Sequence, residues 1–247
     1  MDLGLADRVY LVTGGSKGLG FATAAALVAD GARVVLSSRS QENVDAAVAE
    51  LGDGAIGVAG DNADAGLAER MVAAATSHFG RIDGLLVSVG GPPVGDVLGT
   101  SEQAWQDAFS SIFVGTLRLI RRVVEELGEG GAIGLVLSTS VREPLPNLAI
   151  SNGLRPGLAM VAKTLAEEIG PRGIRVVSLL PGAINTGRNA ALFSDPEVVA
   201  KRTAEIALRR IAEPEEFGRV AAFALSPAAS YLTGCVVTVD GGAMKAL

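Results

Sequence analysis

The chain has 247 residues, 49% hydrophobic and 19% charged, a balance that excludes general disorder and allows a large buried core. A formal charge of -6 argues against nucleic acid or an anionic membrane as the main partner, so the expected ligand is a small molecule. The single cysteine, Cys235, allows no internal disulfide and lies in an apolar run with Val236 and Val237, where a buried thiol under reducing conditions is expected. With no signal-like start and no uncharged apolar stretch of about 18 residues, the expected location is the cytoplasm.

Residues 8–30, RVYLVTGGSKGLGFATAAALVAD, read as an apolar strand, a glycine-rich turn and an alanine-rich helix. The run Val9-Tyr10-Leu11-Val12 suits a strand buried on both faces of a parallel sheet. In the turn, Gly14, Ser16, Lys17, Gly18, Leu19 and Gly20 stand together. The three glycines permit a tight bend, close approach of a ligand and close packing of a helix predicted to begin near Leu19. An anion there would meet unpaired N–H groups and the positive end of the helix dipole. Between strand and helix, this turn points to a dinucleotide pyrophosphate, with an ordinary turn as the bland alternative.

The second apolar run, 33–36, ends in Ser37, Ser38, Arg39 and Ser40. A carboxylate here would bond ribose hydroxyls and repel a 2′-phosphate, and none is present. Ser38 is small and neutral, Arg39 can fork onto a phosphate, and Lys17 can add a second positive charge, so NADP(H) is the expected cofactor. The other reading leaves both cations solvated and makes Ser40 the N-cap of a helix over 41–51. A third strand over 56–59 leads to Asp61 and Asn62, where Asp61 either bonds the adenine amino group or serves as a turn residue. The only histidine, His78, ends a helix predicted over 66–78 beside Phe79 and Gly80, which the helix dipole explains. Neither a metal site nor a histidine-based triad has the residues it requires, so no metal is expected.

A fourth strand over 85–87 is followed by Ser88, Val89, Gly90 and Gly91. Thr100 and Gln103 have capping-box spacing before a long helix, 103–127, whose Trp105, Phe109, Ile112, Phe113 and Leu117 read as core. The strand 132–137 ends in Ser138, Thr139 and Ser140. Leu154, Leu158, Val161, Leu165 and Ile169 repeat at helical spacing until Gly170 and Pro171. A strand over 174–180 closes with Pro181 and Gly182. The less regular stretch 185–213 is read as a mobile substrate flap. Pro214 suits the first turn of a further helix, and 235–239 reads as a last strand. Alternation of strands and helices predicts an α/β fold, a Rossmann-type doubly wound parallel sheet of about seven strands with helices on both faces. No linker or repeat divides residues 1–247, so a single domain is expected.

Taken together, Thr13-Gly14-Gly15-Ser16-Lys17-Gly18-Leu19-Gly20, the segment Pro181-Gly182-Ala183-Ile184-Asn185-Thr186, and Tyr231-Leu232-Thr233-Gly234 with Val239-Asp240-Gly241-Gly242 resemble the short-chain dehydrogenase/reductase family over nearly the whole chain. The resemblance implies that Pro181, Gly182, Ile184 and Thr186 border the nicotinamide amide or pyrophosphate. It also implies that Val89 and Gly90 line the cofactor where the family has NNAG, and that the long helices build a homo-oligomer, a dimer or tetramer.

The family's catalytic set is an asparagine, a serine and a YxxxK pair. Alignment on this sequence puts Ile112, Ser140, Ser151 and Arg155 at those positions, so only the serine survives. Tyr10 and Tyr231 lie in other parts of the chain. A serine hydroxyl is far less acidic than a phenol of pKa near 10, and an arginine stays protonated, so the family's proton transfer cannot be copied. Ser140, Ser151 and Asn152 could instead hydrogen-bond a substrate oxygen as it gains charge, while Arg155 holds the ribose or a substrate anion. Helix capping by Ser151 or Asn152, weakened in its first turns by Gly153, Pro156 and Gly157, is the plainer alternative. Arg142 and Glu143 are further candidate contacts. The expected function is hydride transfer between NADPH and a small carbonyl or α,β-unsaturated carbonyl compound. The alternative is a catalytically inactive dinucleotide sensor or structural partner.

Overall fold

Seven parallel strands form one sheet in the order β3-β2-β1-β4-β5-β6-β7. In the computed structural model, which describes residues 2–246, they are β1 (Val9–Val12), β2 (Arg33–Ser38), β3 (Ala55–Ala59), β4 (Gly84–Ser88), β5 (Ala132–Val136), β6 (Arg175–Pro181) and β7 (Cys235–Val239). The chain winds outward from β1 to β3, then crosses back to β4. This reversal opens a crevice at the carboxyl ends of β1 and β4, where open α/β sheets bind ligands.

Alternate side chains divide the core into two layers, since successive strand residues face opposite sides. Val9 and Leu11 pack with α3 (Leu67–Phe79), α5 (Gly115–Glu126) and α6 (Ala149–Ile169), whereas Tyr10 and Val12 pack with α1 (Gly18–Ala29), α2 (Gln41–Leu51) and α9 (Pro214–Leu225). Helices α1 and α9 touch backbone to backbone: a Cβ on Gly218 would run into the carbonyl of Ala22. Buried Arg175 closes the end of α9 by donating to the carbonyls of Ala224 (2.8 Å), Leu225 (3.1 Å) and Ser226 (2.9 Å), satisfying acceptors that the helix leaves unpaired.

Several local expectations change. The helix expected over 103–127 is α4 (Glu102–Ala108), a π turn over Phe109–Val114, and then α5. Its cap is Ser101, whose Oγ accepts from the Ala104 N–H at 3.2 Å; Thr100 instead donates to the Asp96 carbonyl at 2.5 Å. The segment 185–213 contains α7 (Ala190–Phe193) and α8 (Pro196–Glu205), the latter capped by Asp195 with Pro196 in its first turn. That signal was present in the sequence as Asp-Pro. Ser151 and Asn152 are not caps, because α6 starts at Ala149 and contains Pro156. Buried Leu154, Leu158, Ala162, Ala166 and Ile169 hold α6 together despite the proline. Cys235 is free and half-buried. Among the described residues no helix is long and apolar enough to cross a membrane, and no group of acidic, histidine or cysteine side chains forms a metal site.

Candidate active site

The glycine turn is shaped by close backbone contact. Gly14 and Gly18 both take φ 57°, which disfavours any residue with a Cβ. A Cβ at Gly14 would strike the Ser88 carbonyl, and one at Gly20 would strike the Gly14 carbonyl. Buried Thr13 bolts β1 to β4 beneath the turn, its Oγ1 donating to the Ser88 carbonyl (3.2 Å) and accepting from the Ser88 N–H (3.1 Å). Lys17 occupies the N-cap of α1 in extended conformation. No side chain caps the helix and no acid lies in its first turn, so its positive end faces the crevice uncompensated. Thr186 stands over Gly18, its methyl 3.5 Å from where a Cβ would be, and Gly90 fronts open space. Leu19, Ser16, Pro181 and Gly182 are half-buried around this groove, and Ile184 is buried. A pyrophosphate fits a cradle of this kind.

At the end of β2, Ser38 is half-buried and Arg39 exposed. Asp61 takes the turn role: one oxygen accepts from the Ala63 N–H at 2.8 Å, and the other lies 3.9 Å from Arg39 Nε. Asn62 Nδ2 reaches Thr13 Oγ1 at 3.5 Å, which puts it at the floor of the same groove. Lys17 is exposed on the neighbouring turn.

Past β5 the structure brings two hydroxyls together. Ser140 Oγ lies 3.1 Å from Ser151 Oγ and 3.4 Å from the Ser151 carbonyl, and both serines are buried. Ser138 takes the bland role of a strand-end cap, accepting from the Ser140 N–H at 3.1 Å. Asn152 is not in this pair: its amide accepts from the Leu145 N–H (3.0 Å) and donates to the Leu145 carbonyl (2.9 Å), bracing the loop beyond β5. The same loop pairs with the one after β4, where Gly95 bridges Leu148. On it Arg142 is exposed and Glu143 half-buried.

Arg155 lies one helical turn beyond Ser151. Only 5% exposed, it donates to the carbonyls of Val136 and, at 3.4 Å, Val89, tying the ends of β5 and β4 together. Its Nε is buried with no partner. Burial, and secondarily the positive charge of Arg188, lower its pKa to about 10, so it remains a cation at neutral pH. In this arrangement the guanidinium bonds strand-end carbonyls and does not stand open to a ribose, a difference from the expectation for this position. Ile112, in the π turn, is buried and makes the wall against Arg155 apolar, with Thr116 and Leu158 beside it. Tyr10 is buried in the other core layer, where desolvation raises its pKa to about 12, and Tyr231 is fully exposed.

One residue at this site was missed in the sequence. Arg188, two positions after Thr186, donates to the Pro92 carbonyl at 2.6 Å and presses against Gly91, where any Cβ would overlap its guanidinium. The available signal was a lone basic side chain just past the Pro181–Thr186 motif in a segment read only as a flap.

Residues 14–244 match the family model described as enoyl-(acyl carrier protein) reductase. Human dehydrogenase/reductase SDR family member 4 is 37% identical over 244 residues, covering 96% of this chain and 88% of its own. Human dehydrogenase/reductase SDR family member 2, mitochondrial, is likewise 37% identical, over 242 residues. Among solved structures, a short-chain glucose/ribitol dehydrogenase from Brucella melitensis superposes with a TM-score of 0.94 at 29% identity, and L-sorbose reductase from Gluconobacter frateurii, complexed with NADPH and L-sorbose, with 0.93 at 29%. In both cases the whole of each chain is covered. Sheet order, glycine cradle and full-length similarity converge: the chain belongs to the short-chain dehydrogenase/reductase family.

Proposed function

We propose that this protein is an NADP(H)-dependent oxidoreductase that transfers a hydride between NADPH and a small carbonyl or α,β-unsaturated carbonyl compound, using an active site without the family's tyrosine. The observation that carries the reading is the cradle: glycine positions closed to any Cβ beside an uncapped helix end, in the same crevice as the buried Ser140–Ser151 pair.

Gly14, Ser16, Gly18, Leu19 and Gly20 would hold the pyrophosphate. Ser38 and Arg39, with Lys17 as a second positive charge, would take the 2′-phosphate, with Asp61 and Asn62 beside the adenosine. Val89, Gly90, Pro181, Gly182, Ile184 and Thr186 would border the nicotinamide half. When bound, the cofactor supplies the hydride. The chain's own contribution is electrostatic. Ser140 and Ser151 donate hydrogen bonds to a substrate oxygen as it becomes negative, and the buried charge of Arg155 lies one turn behind them. Since neither a serine nor an arginine is a good acid at neutral pH, the proton comes from water. This suits an enolate formed by conjugate addition as well as an alkoxide. An NADPH complex of a structural neighbour supports the choice of cofactor. Loss of the phenol favours the second reading, a non-catalytic dinucleotide sensor.

Mixing enzyme and NADPH with a panel of ketones and enones, and following absorbance at about 340 nm, tests the proposal. Substrate-dependent loss of absorbance is expected, and its absence across the panel would leave the sensor. Arg39→Ala is expected to weaken NADPH more than NADH in a titration; equal loss removes Arg39 from 2′-phosphate binding. We also place the enzyme in the cytoplasm, where its lone free thiol suits a reducing medium.

A further inference from the structure

Two guanidinium groups, of buried Arg155 and of exposed Arg188, border the short segment 89–92 that follows β4. Arg155 uses the carbonyls of Val136 and Val89, and Arg188 uses the carbonyl of Pro92; among the described residues neither forms an ion pair. They are near enough that the charge of Arg188 acts on Arg155. Two like charges on one short segment, served by neutral acceptors, repel each other, and an anion between them would relieve that repulsion.

Their position says which part of a complex that anion belongs to. Arg155 bridges the ends of β4 and β5, one turn from the Ser140–Ser151 hydroxyls, and Val89, which it contacts, is two residues before Gly91, on which Arg188 lies. The cations therefore flank the reacting end of the crevice. The pyrophosphate cradle is at the end of β1 and is complete without them, through its backbone turn and the α1 terminus.

We infer that Arg188 is a substrate-binding residue, and that the substrate carries a carboxylate next to its reducible bond, as 2-oxo, 3-oxo and 2-enoic acids do. This inference rests on the oxidoreductase reading. Arg188 is exposed and lies on the arm between β6 and α7, so its guanidinium can exchange the Pro92 carbonyl for the two oxygens of a carboxylate, a geometry that its fork matches. Arg155 stays in place and supplies fixed positive charge behind the hydroxyls. For a 2-oxo acid the balanced reaction is hydride from NADPH to the carbonyl carbon and a proton from water to its oxygen, giving the 2-hydroxy acid and NADP+.

Calorimetric titration of oxamate, acetoacetate and crotonate, each against its neutral amide, into the full-length protein saturated with NADP+ tests the site without requiring turnover. At least one carboxylate is expected to bind about tenfold or more tighter than its amide, with Arg188→Gln removing the preference and Arg188→Lys restoring part of it. NADP+ affinity should stay within about twofold in both variants, and unchanged melting temperatures show that they fold. The inference is overturned if no carboxylate outbinds its amide, if Arg188→Gln leaves the preference intact, or if it weakens NADP+ as much as the acid, which would make Arg188 a pyrophosphate clamp. Selective carboxylate binding with no NADPH oxidation on acetoacetate, on crotonate or on pyruvate, the reducible counterpart of oxamate, would sink hydride transfer and leave the anion site standing. Turnover of neutral ketones with no Arg188-dependent preference would do the reverse.

Discussion

Ser140 stands where the resemblance puts the family's serine, and Ser151 where it puts the tyrosine. Two buried hydroxyls 3.1 Å apart, with Ser140 Oγ also 3.4 Å from the Ser151 carbonyl, can each turn a proton from these internal partners onto a developing oxyanion, and are poor proton sources. Replacing either by alanine is expected to lower kcat about 10²-fold with little change in NADPH affinity. The double variant should be barely worse than the singles if they act as a unit. Additive losses in steady-state kinetics would show two independent roles. The pair was legible in the sequence only because Ser140 and Ser151 fell at motif positions. Asn152 fell beside them and turned out to brace Leu145 instead, because its neighbour across the loop cannot be read from spacing. Arg155 was legible as an aligned cation, but not its attachment to Val136 and Val89, which depends on the length of a guanidinium side chain in a space lined by Ile112.

Elements were easier to read than contacts. The strand runs are continuous and apolar because they are buried on both faces, and β1, β2 and β5 fell close to their expected bounds. Helix interiors also followed their periodicity; the errors came at ends and breaks. The π turn at Phe109–Val114 has no composition of its own, and Ser101 displaced Thr100 as cap by a single residue. Helix α9 has a stronger terminal device. Glu213 and Glu216 form a capping box, and Glu216 also pairs with Arg210 at 2.6 Å. The hydrogen bond from Arg210, then that from the Glu213 N–H, hold the Glu216 carboxyl down from 4.5 to about 2. Since its pKa is depressed on folding, its contribution is complete above the unfolded value and fades as pH falls from about 4.5 towards 2. Thermal melts of wild type and Glu216→Gln should therefore differ at pH 6 and converge towards pH 2. Parallel curves across that range would remove Glu216 from the acid response.

For the molecule as a whole, topology was the most secure expectation and association the least. A long alternation of strands and helices admits few arrangements, whereas a surface patch can face either water or another subunit. Phe109 and Met160 leave 46% and 70% of their surface exposed on the π turn after α4 and on α6, and Phe109 stacks on Phe113 with ring centres 5.2 Å apart. We expect these helices to pair between copies, giving a dimer or tetramer in sedimentation velocity at micromolar concentration. Met160→Glu should shift the distribution towards the monomer; a wild-type monomer would overturn the expectation.

The backbone contact between α1 and α9 bears on how such a molecule releases what it holds. Helix α9 starts where the arm over the crevice ends, at Pro214, and Gly218 seats it directly on Ala22 of the helix whose first turn faces the phosphate cradle. The arm is thus rooted in a post that is braced against the cradle. We expect hydrogen exchange to be fast over 185–213, which has few buried residues, and slow in α1 and α9, which have many. Movement of the arm would then leave the α1–α9 contact, and with it the fold, intact.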